Sequence, residues 1–233
     1  MAKFKVRVVT AYVDLGLAKR SVGEFYILGD RLYRACEPDF RAFIRFPFEE
    51  CWLTKEMRRQ VGWIAANHRA EDRFETDMEH VRSNIIQHSP MQWLKLAMAE
   101  DPLSDVFVWM GYSIMKQGDF TGKRITPEHV REFLCKLRQW EPNCIPLPGI
   151  TDRAPVNVHG DNWRFCGSTL IVPRQFVEPL ERSYKFETRE FIRRHGCIPL
   201  DLAIWPMVEE RSGLPIRWYK AEYDATQLTN FPG

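Results

Sequence analysis

The fold is decided by one apolar stretch, which reads Phe107-Val108-Trp109-Met110-Gly111-Tyr112-Ser113-Ile114. The polar segment Asp101-Pro102-Leu103-Ser104-Asp105 precedes it, and Lys116-Gln117-Gly118-Asp119 follows it. Continuous apolar runs of this kind are typical of parallel strands that are buried on both faces. In open α/β sheets, ligands bind beyond the carboxyl ends of such strands. The stretch therefore predicts a central strand with a binding site at its end.

A second strand is predicted near the start of the chain, in Phe4-Lys5-Val6-Arg7-Val8-Val9-Thr10-Ala11-Tyr12-Val13-Asp14-Leu15-Gly16. Its residues change from apolar to small and polar toward the carboxyl end. Neighbouring parallel strands bring their carboxyl ends to the same edge of a sheet. We therefore expect the functional site where these two strands end.

Length and composition describe an ordinary globular protein. The chain has 233 residues, of which 45% are hydrophobic and 27% charged, so it can bury a substantial core as one large domain. The formal net charge of +2 is too balanced to indicate a nucleic-acid or membrane surface, although basic residues are denser in the first 45 positions and could serve a local anionic ligand. No apolar segment is long enough to span a bilayer and no signal-peptide core is present, which predicts a cytoplasmic protein.

The six cysteines give no sign of a metal site or a disulfide framework. They are widely spaced, without a C-x-x-C motif or histidines at zinc-finger offsets: Cys36, Cys51, Cys135, Cys144, Cys166 and Cys197. We expect them to be reduced and mostly buried.

The rest of the chain alternates between strand and helix patterns. Strands are predicted over 40–46, 51–53 and 163–173, and helices over 23–36, 75–86, from Pro90, from Pro127 to about Gln139, over 174–194 and from Asp201. The proline-rich segment 142–155 is interpreted as a linker between an earlier and a later half. Glycine in 163–173 indicates that a ligand or another strand approaches the backbone closely at Gly167.

Several common catalytic motifs are missing. The sequence has no G-x-G-x-x-G after the first strand, no phosphate-binding G-x-x-x-x-G-K-[ST], no G-x-S-x-G elbow and no H-E-x-x-H. Dehydrogenase, P-loop and hydrolase functions therefore lose their main support.

Four short segments, taken in order, carry a resemblance to a known family. They are Val8 to Gly16, Phe107-Val108-Trp109, Trp163 to Ser168, and the closing Tyr223 to Phe231. In these segments the chain resembles the HtrL/YibB-like family of GT-A-type nucleotide-sugar glycosyltransferases. The resemblance implies an α/β fold: a single GT-A-like (Rossmann-like) domain over 1–233 with a mixed, mainly parallel sheet flanked by helices. Residues 1–141 would form the nucleotide-binding half and 156–233 the acceptor-side half.

The resemblance implies a donor site at the end of the first strand. Thr10, Ala11 and Tyr12 would contact the nucleoside, with small residues allowing close approach and the aromatic ring able to stack on a base. Asp14 would bind a ribose or cap the turn. The alternative is a plain transition from strand to loop.

The resemblance also implies a metal site that this chain lacks. Family members carry an acidic residue two positions after the tryptophan that matches Trp109, where it helps to hold Mg²⁺ or Mn²⁺ against the diphosphate. Here that position is Gly111. A metal would need ligands from elsewhere, so we predict no metal ligands and a metal-independent reaction.

A cationic side chain would then stabilise the leaving diphosphate. The candidates are Lys95, Lys116, Lys220 and Arg164, and Lys95 is favoured because its helix runs into the central strand. Taken individually, each is more often a solvated surface residue, because Lys and Arg side chains are mostly exposed.

Asp201 is the preferred catalytic residue, at a predicted helix start where the resemblance implies an acid near the acceptor. In inverting enzymes of this type the acid is the base, although an ordinary first-turn aspartate favoured by the helix dipole is an equal alternative. Asp161 is the second acidic candidate, with a turn residue as its alternative. Asp224 and Asn230 lie in the closing segment, where the resemblance implies side chains folded over the donor and the alternative is a polar coil.

The sequence thus predicts a cytoplasmic glycosyltransferase that moves a sugar from a nucleotide-sugar donor to a hydroxyl acceptor. The acceptor would be a surface glycan or, at lower rank, a hydroxylated base in DNA, and nucleic acid is expected in no other role. Gly111 favours one alternative, a catalytically inactive relative that binds a nucleotide or a glycan. A structural or interaction protein is the third hypothesis, and it would have no pocket at the two strand ends.

Overall fold

The computed structural model describes residues 3–15, 22–58, 78–118, 122–152 and 164–233. Its strands are β1 (Val6–Ala11), β2 (Phe40–Phe43), β3 (Val106–Met110), β4 (Ile145–Gly149), β5 (Thr169–Pro173) and β6 (Ile216–Lys220). Its helices are α1 (Val22–Cys36), α2 (Met78–Gln87), α3 (Pro90–Glu100), α4 (Pro127–Leu137), α5 (Arg174–His195), α6 (Asp201–Arg211) and α7 (Thr226–Thr229). Residues 52–58 are also helical, and single 3₁₀ turns occupy Phe48–Glu50 and Ile114–Lys116.

The main sheet is mixed and mainly parallel, which confirms the predicted fold class. Its strand order is β2-β1-β3-β5, with β1 parallel to both β2 and β3, and β5 antiparallel to β3. A separate pair is formed by β4 and β6, which run parallel. All five residues of β3 are buried, as the apolar run at its position predicts.

The alternation of side chains along β1 divides the core into two layers. Val6 and Val8 pack on one face with residues of α1 and α4, whereas Val9 and Ala11 pack on the other with residues of α3 and α5. Both layers reach the end of β3, the second through Trp109 and the first through Met110.

Predicted helix boundaries are confirmed where local capping chemistry is clear. Thr126 and His129 form a reciprocal capping box at the start of α4. Gly196 ends α5 with φ 71°, the left-handed conformation common after a helix. The Ser89-Pro90 start of α3 is also correct, but the Ser89 hydroxyl donates to the Ile85 carbonyl instead of capping the helix.

Two predicted segments are wrong. Residues 51–53 do not form a strand; residues 52–58 are helical, and the Trp52 backbone N–H donates to the Gln92 side chain on α3. The proline-rich segment is not a linker, because it contains β4, whose five residues are all buried. The backbone carbonyl of Pro148 points away from β6 and accepts a hydrogen bond from the Cys166 N–H. Because the N and C=O of one strand residue point to the same side, the N–H that proline lacks would not have bonded to β6.

Two predicted strands are shorter than expected. The strand predicted over 40–46 ends at Phe43, and Arg45 has a left-handed φ of 53°. The strand predicted over 163–173 begins only at Thr169. The six cysteines are all free and five are buried, with Cys135 exposed, in agreement with the sequence. Among the described residues, no helix combines the length and apolarity that crossing a bilayer requires.

Candidate functional site

A cavity of about 550 Å³ opens at the carboxyl ends of β1 and β3. Ala11 contributes from the end of β1, Trp109 and Gly111 from the end of β3, and Asp201 from the start of α6. The other lining residues are Ile86, Gln87, Pro90, Trp93, Tyr112, Ser113, Lys116, Gly167, Ser168, Leu202 and Tyr223. The two strand ends that the sequence selects therefore meet at one cavity. The third hypothesis, a structural or interaction protein, loses the support that a missing pocket would have given it.

One wall of the cavity is aromatic. The rings of Trp93 and Trp109 stack with centroids 5.0 Å apart and planes inclined by 23°. Tyr112 and Tyr223 add two further rings to the lining. The two indoles are buried, at 1% and 7% exposed, so the half-buried tyrosines are the rings that a ligand could reach. Bases and sugar rings pack against such aromatic side chains in protein sites.

Asp201 is a buried carboxyl group at the cavity wall. Only 7% of the residue is exposed, and burial raises its pKa from 3.8 to about 7. Its own backbone N–H and that of Leu202 oppose this rise, because they stabilise the carboxylate at the helix N-terminus. A carboxyl group with a pKa near neutrality can gain or lose a proton at physiological pH.

Gly167 allows the backbone to pass beside this carboxyl group. A Cβ at position 167 would lie 2.5 Å from Asp201 Oδ2 and 3.3 Å from Leu202 Cδ2. The close approach that the sequence predicts at Gly167 thus involves the Asp201 side chain. Any larger residue would displace the carboxyl group.

A smaller inner cavity of about 10 Å³ lies behind Asp201. It is lined by Asp201 together with His88, Tyr184 and Trp205, and it shares Trp109 and Gly167 with the main cavity. His88 Nδ1 is 2.7 Å from the Tyr184 hydroxyl, and its Nε2 is 2.8 Å from the Pro199 carbonyl. Burial lowers the pKa of His88 to about 4, so its ring is neutral at neutral pH.

His88 and Tyr184 were not predicted from the sequence. They are 96 positions apart, and no local pattern connects them. The position of His88, immediately before the Ser89-Pro90 helix start, is the only sequence feature that marks it.

Of the four predicted cations, Lys116 lies at the cavity. Lys95, which the sequence favours, points instead toward α5 and forms an ion pair of 2.8 Å with Glu181. Arg164 pairs with Glu209 and donates to the Thr151 carbonyl, so it holds the region around β4. Lys220 does not line the cavity either. The preference for Lys95 is corrected for this reason: its side of α3 faces α5.

Ala11 is the one residue of the predicted Thr10, Ala11 and Tyr12 trio that lines the cavity. Thr10 is fully buried on the opposite face of the sheet. The Tyr12 ring is buried as well, packed 5.1 Å from Phe25, so it offers no free face to a base. Burial, followed by the nearby Asp14 carboxylate, raises the pKa of Tyr12.

The predicted closing residues lie outside the cavity lining. The Asp224 carboxylate accepts from the backbone N–H and the hydroxyl of Thr226, an arrangement that starts α7. The Asn230 side chain donates to the Lys220 carbonyl. Tyr223 is the lining residue from this segment. Asp161 lies outside the described residues.

The described residues do not fit a divalent metal. Gly111 offers no ligand where an acid is expected, and Asp201 is the single carboxyl group among the described lining residues. Within the described part of the chain, no three His, Cys, Asp or Glu side chains converge as a metal site requires. Mg²⁺ and Mn²⁺ need several oxygen ligands, which the described lining does not supply.

Ser168 connects the cavity wall to the end of the chain. Its backbone carbonyl accepts from the Gly111 N–H, and its hydroxyl donates to the buried Gln227 side chain on α7. The Gln227 amide donates in turn to Gln117, just beyond β3. These bonds hold the segment after β3 against the segment before β5.

Comparison by sequence finds no match among protein-family profiles or curated proteins. Comparison by structure finds a glycosyltransferase involved in the glycosylation of the major capsid of PBCV-1, 9% identical, with a TM-score of 0.52 over 94% of this chain and 81% of that one. It also finds 4-diphosphocytidyl-2C-methyl-D-erythritol synthase from Anaerococcus prevotii, 13% identical, with a TM-score of 0.40 over 98% of this chain and 92% of that one. The first likeness, at this identity, shows the fold and no more. The chain thus has the GT-A-like fold that the resemblance implies, and membership in the HtrL/YibB-like family stays a prediction.

Proposed function

We propose that this protein is a glycosyltransferase that uses a nucleotide-sugar donor and a hydroxyl acceptor, with Asp201 as the base. The observation that carries the proposal is a buried carboxyl group with a pKa of about 7 at the wall of a 550 Å³ cavity, beyond the carboxyl ends of β1 and β3. General bases work best when their pKa lies near the operating pH. The GT-A-like fold supports the same reaction class.

The proposed reaction is a single displacement at the anomeric carbon of the donor. The acceptor oxygen forms a bond to that carbon while the bond to the phosphate oxygen breaks, and the acceptor proton moves to the Asp201 carboxylate. The nucleoside diphosphate leaves with the electron pair of the broken bond. Lys116 supports the developing charge on the phosphate, because it is the cation at the described cavity lining.

The aromatic wall supports a ring-shaped ligand. Tyr112 and Tyr223, which are half-buried at the cavity lining, would provide the rings against which a base or sugar ring packs, and the buried Trp93 and Trp109 pair would support them from behind. The acceptor remains open between a glycan and a hydroxylated base in DNA, because each presents a hydroxyl group on a ring.

Thermal denaturation with UDP, GDP, CDP, ADP and their sugar conjugates is the first test. A ligand at 100 times its Kd stabilises the folded state by about 2.7 kcal/mol, so a binding nucleotide raises the melting temperature by several degrees. Absence of a shift with every nucleotide at millimolar concentration would remove the transferase proposal in favour of an interaction protein.

Turnover is the second test. Release of the nucleoside diphosphate from the donor that binds should fall by about 100-fold or more in Asp201→Asn, because a positioned base contributes about 10² to 10⁴. A folded Asp201→Asn variant with unchanged turnover would exclude Asp201 as the base.

An inactive nucleotide- or glycan-binding protein is the second candidate function, and Gly111 favours it. Such a protein would show the thermal shift without releasing product from any donor. The two tests together therefore separate the enzyme from the binding protein.

A further inference from the structure

Gln87 carries the one side-chain amide among the described residues that line the main cavity. It is the last residue of α2, and it lines the inner cavity as well. Four other residues belong to both walls: Pro90, Trp109, Gly167 and Asp201. Gln87 therefore lies at the boundary between the two cavities, as Asp201 does, and the proposed transfer step gives it no role.

The Gln87 amide is uncommitted and reachable. Within the described part of the chain it forms no side-chain hydrogen bond, whereas the amides of Gln92 and Gln227 donate to neighbouring residues. Both of its amide atoms are open to solvent, in contrast to the indole N–H of Trp93, which is sealed from solvent without a partner. A half-buried amide of this kind can exchange water for the polar atoms of a ligand.

The backbone that carries Gln87 is held by its neighbour. His88 is fully buried, and its ring lies 2.7 Å from the Tyr184 hydroxyl and 2.8 Å from the Pro199 carbonyl. Because Pro199 stands two residues before Asp201, this ring ties the end of α2 to the start of α6. A rigid backbone holds a binding side chain in place relative to the reacting groups.

The chemistry of an amide matches a sugar ring. One end of the amide accepts a hydrogen bond and the other donates, so one glutamine can bind two adjacent hydroxyl groups. The proposed base takes a proton from the hydroxyl that attacks the anomeric carbon, so the donor sugar must lie beside Asp201. We infer that Gln87 binds two neighbouring hydroxyl groups of the donor sugar and thereby selects the sugar that the protein uses. This inference rests on the proposed function, because it takes the ligand to be a nucleotide sugar.

The position of the cation distinguishes the sugar end of the donor from the diphosphate end. Lys116 lines the main cavity but not the inner one, whereas Gln87 lines both. A neutral amide adds no charge to hold a phosphate, but it supplies directional bonds that distinguish one arrangement of hydroxyl groups from another. A diphosphate at Lys116 and a sugar at Gln87 therefore fit one orientation of the donor.

The test compares a nucleoside diphosphate with its own sugar conjugate, so that the nucleotide part cancels. Calorimetry gives the ratio of the two Kd values, first for UDP and UDP-glucose and then for the pair that the thermal screen selects. Gln87→Met keeps the length and the helix propensity of the side chain without its amide. It should weaken binding of the sugar conjugate by about tenfold, through the loss of two neutral hydrogen bonds, and leave binding of the nucleoside diphosphate unchanged.

Gln92→Met is the matched control. The Gln92 amide accepts from the Trp52 N–H and donates to the Glu50 carbonyl, outside the lining of the main cavity. Its removal loosens the packing of α3 against residues 50–52 and should leave the ratio of the two Kd values unchanged.

Deoxy forms of the donor sugar identify the hydroxyl groups. In the wild type, the conjugates that lack either of two adjacent hydroxyl groups should bind more weakly than the full sugar. In Gln87→Met the same conjugates should bind as well as the full sugar, because the lost partner is the same. A general loss of structure would weaken every conjugate alike and preserve the differences between them.

Three results would overturn the inference and leave the proposed function in place. They are an equal loss of affinity for the nucleoside diphosphate and its conjugate, deoxy effects that persist in Gln87→Met, and a wild type to which no pair of adjacent hydroxyl groups contributes affinity. The last of these needs no variant to fold. If no nucleotide binds at all, the proposed function fails and the inference fails with it.

Discussion

Asp201 and His88 line the same inner cavity, and burial shifts their pKa values in opposite directions. The pKa of Asp201 rises from 3.8 to about 7, while that of His88 falls from 6.5 to about 4. Both shifts have the same cause, since each group loses free energy when it becomes charged away from water. Both groups are therefore neutral near pH 5.5, where the folded protein holds no charge at this position.

The first prediction concerns stability against pH for Asp201. The folded state keeps its proton up to about pH 7 and the unfolded state loses it near 3.8, so the folded state binds more protons between these values. Asp201 therefore contributes its full stabilisation of the folded state below pH 3.8. This contribution decreases as the pH rises and is lost when the pH passes about 7. The loss is at most about 4 kcal/mol.

Denaturation by urea at pH 5 and pH 8 checks this contribution. Asp201→Asn, which cannot ionise, should gain stability relative to the wild type at pH 8 and much less at pH 5. His88 acts in the opposite sense, because its contribution is present above pH 6.5 and is lost as the pH falls toward 4. An equal stability difference at both pH values would show that Asp201 ionises normally.

The second prediction compares two glycines at the cavity. A Cβ on Gly167 would meet Asp201 Oδ2 at 2.5 Å, whereas a Cβ on Gly111 meets only the Ser168 carbonyl at 3.9 Å. Gly167→Ala should therefore displace the carboxyl group and lower turnover by about tenfold or more. Gly111→Ala is the matched control and should keep most of the activity.

Measuring the folding of Gly167→Ala distinguishes displacement of the Asp201 carboxyl group from a general loss of structure. We expect Gly167→Ala to remain folded by circular dichroism and to bind nucleotide, because the Asp201 side chain can rotate away. Equal turnover in the two alanine variants would mean that the exact position of Asp201 does not matter.

The sequence predicts where the site lies better than it predicts which side chains form it. Apolar runs that end in small residues identify β1 and β3 as local features, and Asp201 stands at a helix start that Pro199 marks. The choice between Lys95 and Lys116 depends instead on which side of α3 faces α5, and this is a tertiary property. The contact between His88 and Tyr184 joins distant parts of the chain and leaves no local pattern. β4 was missed because two prolines suggest a linker unless the partner strand is known.

The third prediction separates the two lysines. Lys116 lines the cavity, so Lys116→Ala should weaken binding of a nucleoside diphosphate by about fivefold to tenfold, as expected for a charged contact that is open to solvent. Lys95→Ala is the control, because Lys95 pairs with Glu181 outside the cavity. Its removal should leave nucleotide binding unchanged, and Glu181 keeps Lys185 as a partner.

Titration calorimetry with the nucleotide selected by the thermal screen measures both variants. Raising the salt concentration should narrow the difference between wild type and Lys116→Ala, since screening weakens exposed charge pairs. A loss of affinity in Lys95→Ala alone would restore the choice made from the sequence.

The fourth prediction concerns metal removal. Gly111 supplies no ligand and Asp201 is the single carboxyl group among the described lining residues, so donor binding and turnover should persist in EDTA.

Gly111→Asp tests the same point by adding a carboxylate, because a Cβ at position 111 has only the Ser168 carbonyl oxygen nearby, at 3.9 Å. The added carboxylate should weaken nucleotide binding in EDTA by repelling the phosphates, and Mn²⁺ should restore part of the lost affinity. Isothermal titrations of wild type and Gly111→Asp, each with EDTA and with Mn²⁺, give the four values needed. Wild-type turnover that disappears in EDTA and returns with Mn²⁺ would mean that acids outside the described residues, with Asp119 and Asp161 as the first candidates, complete a metal site.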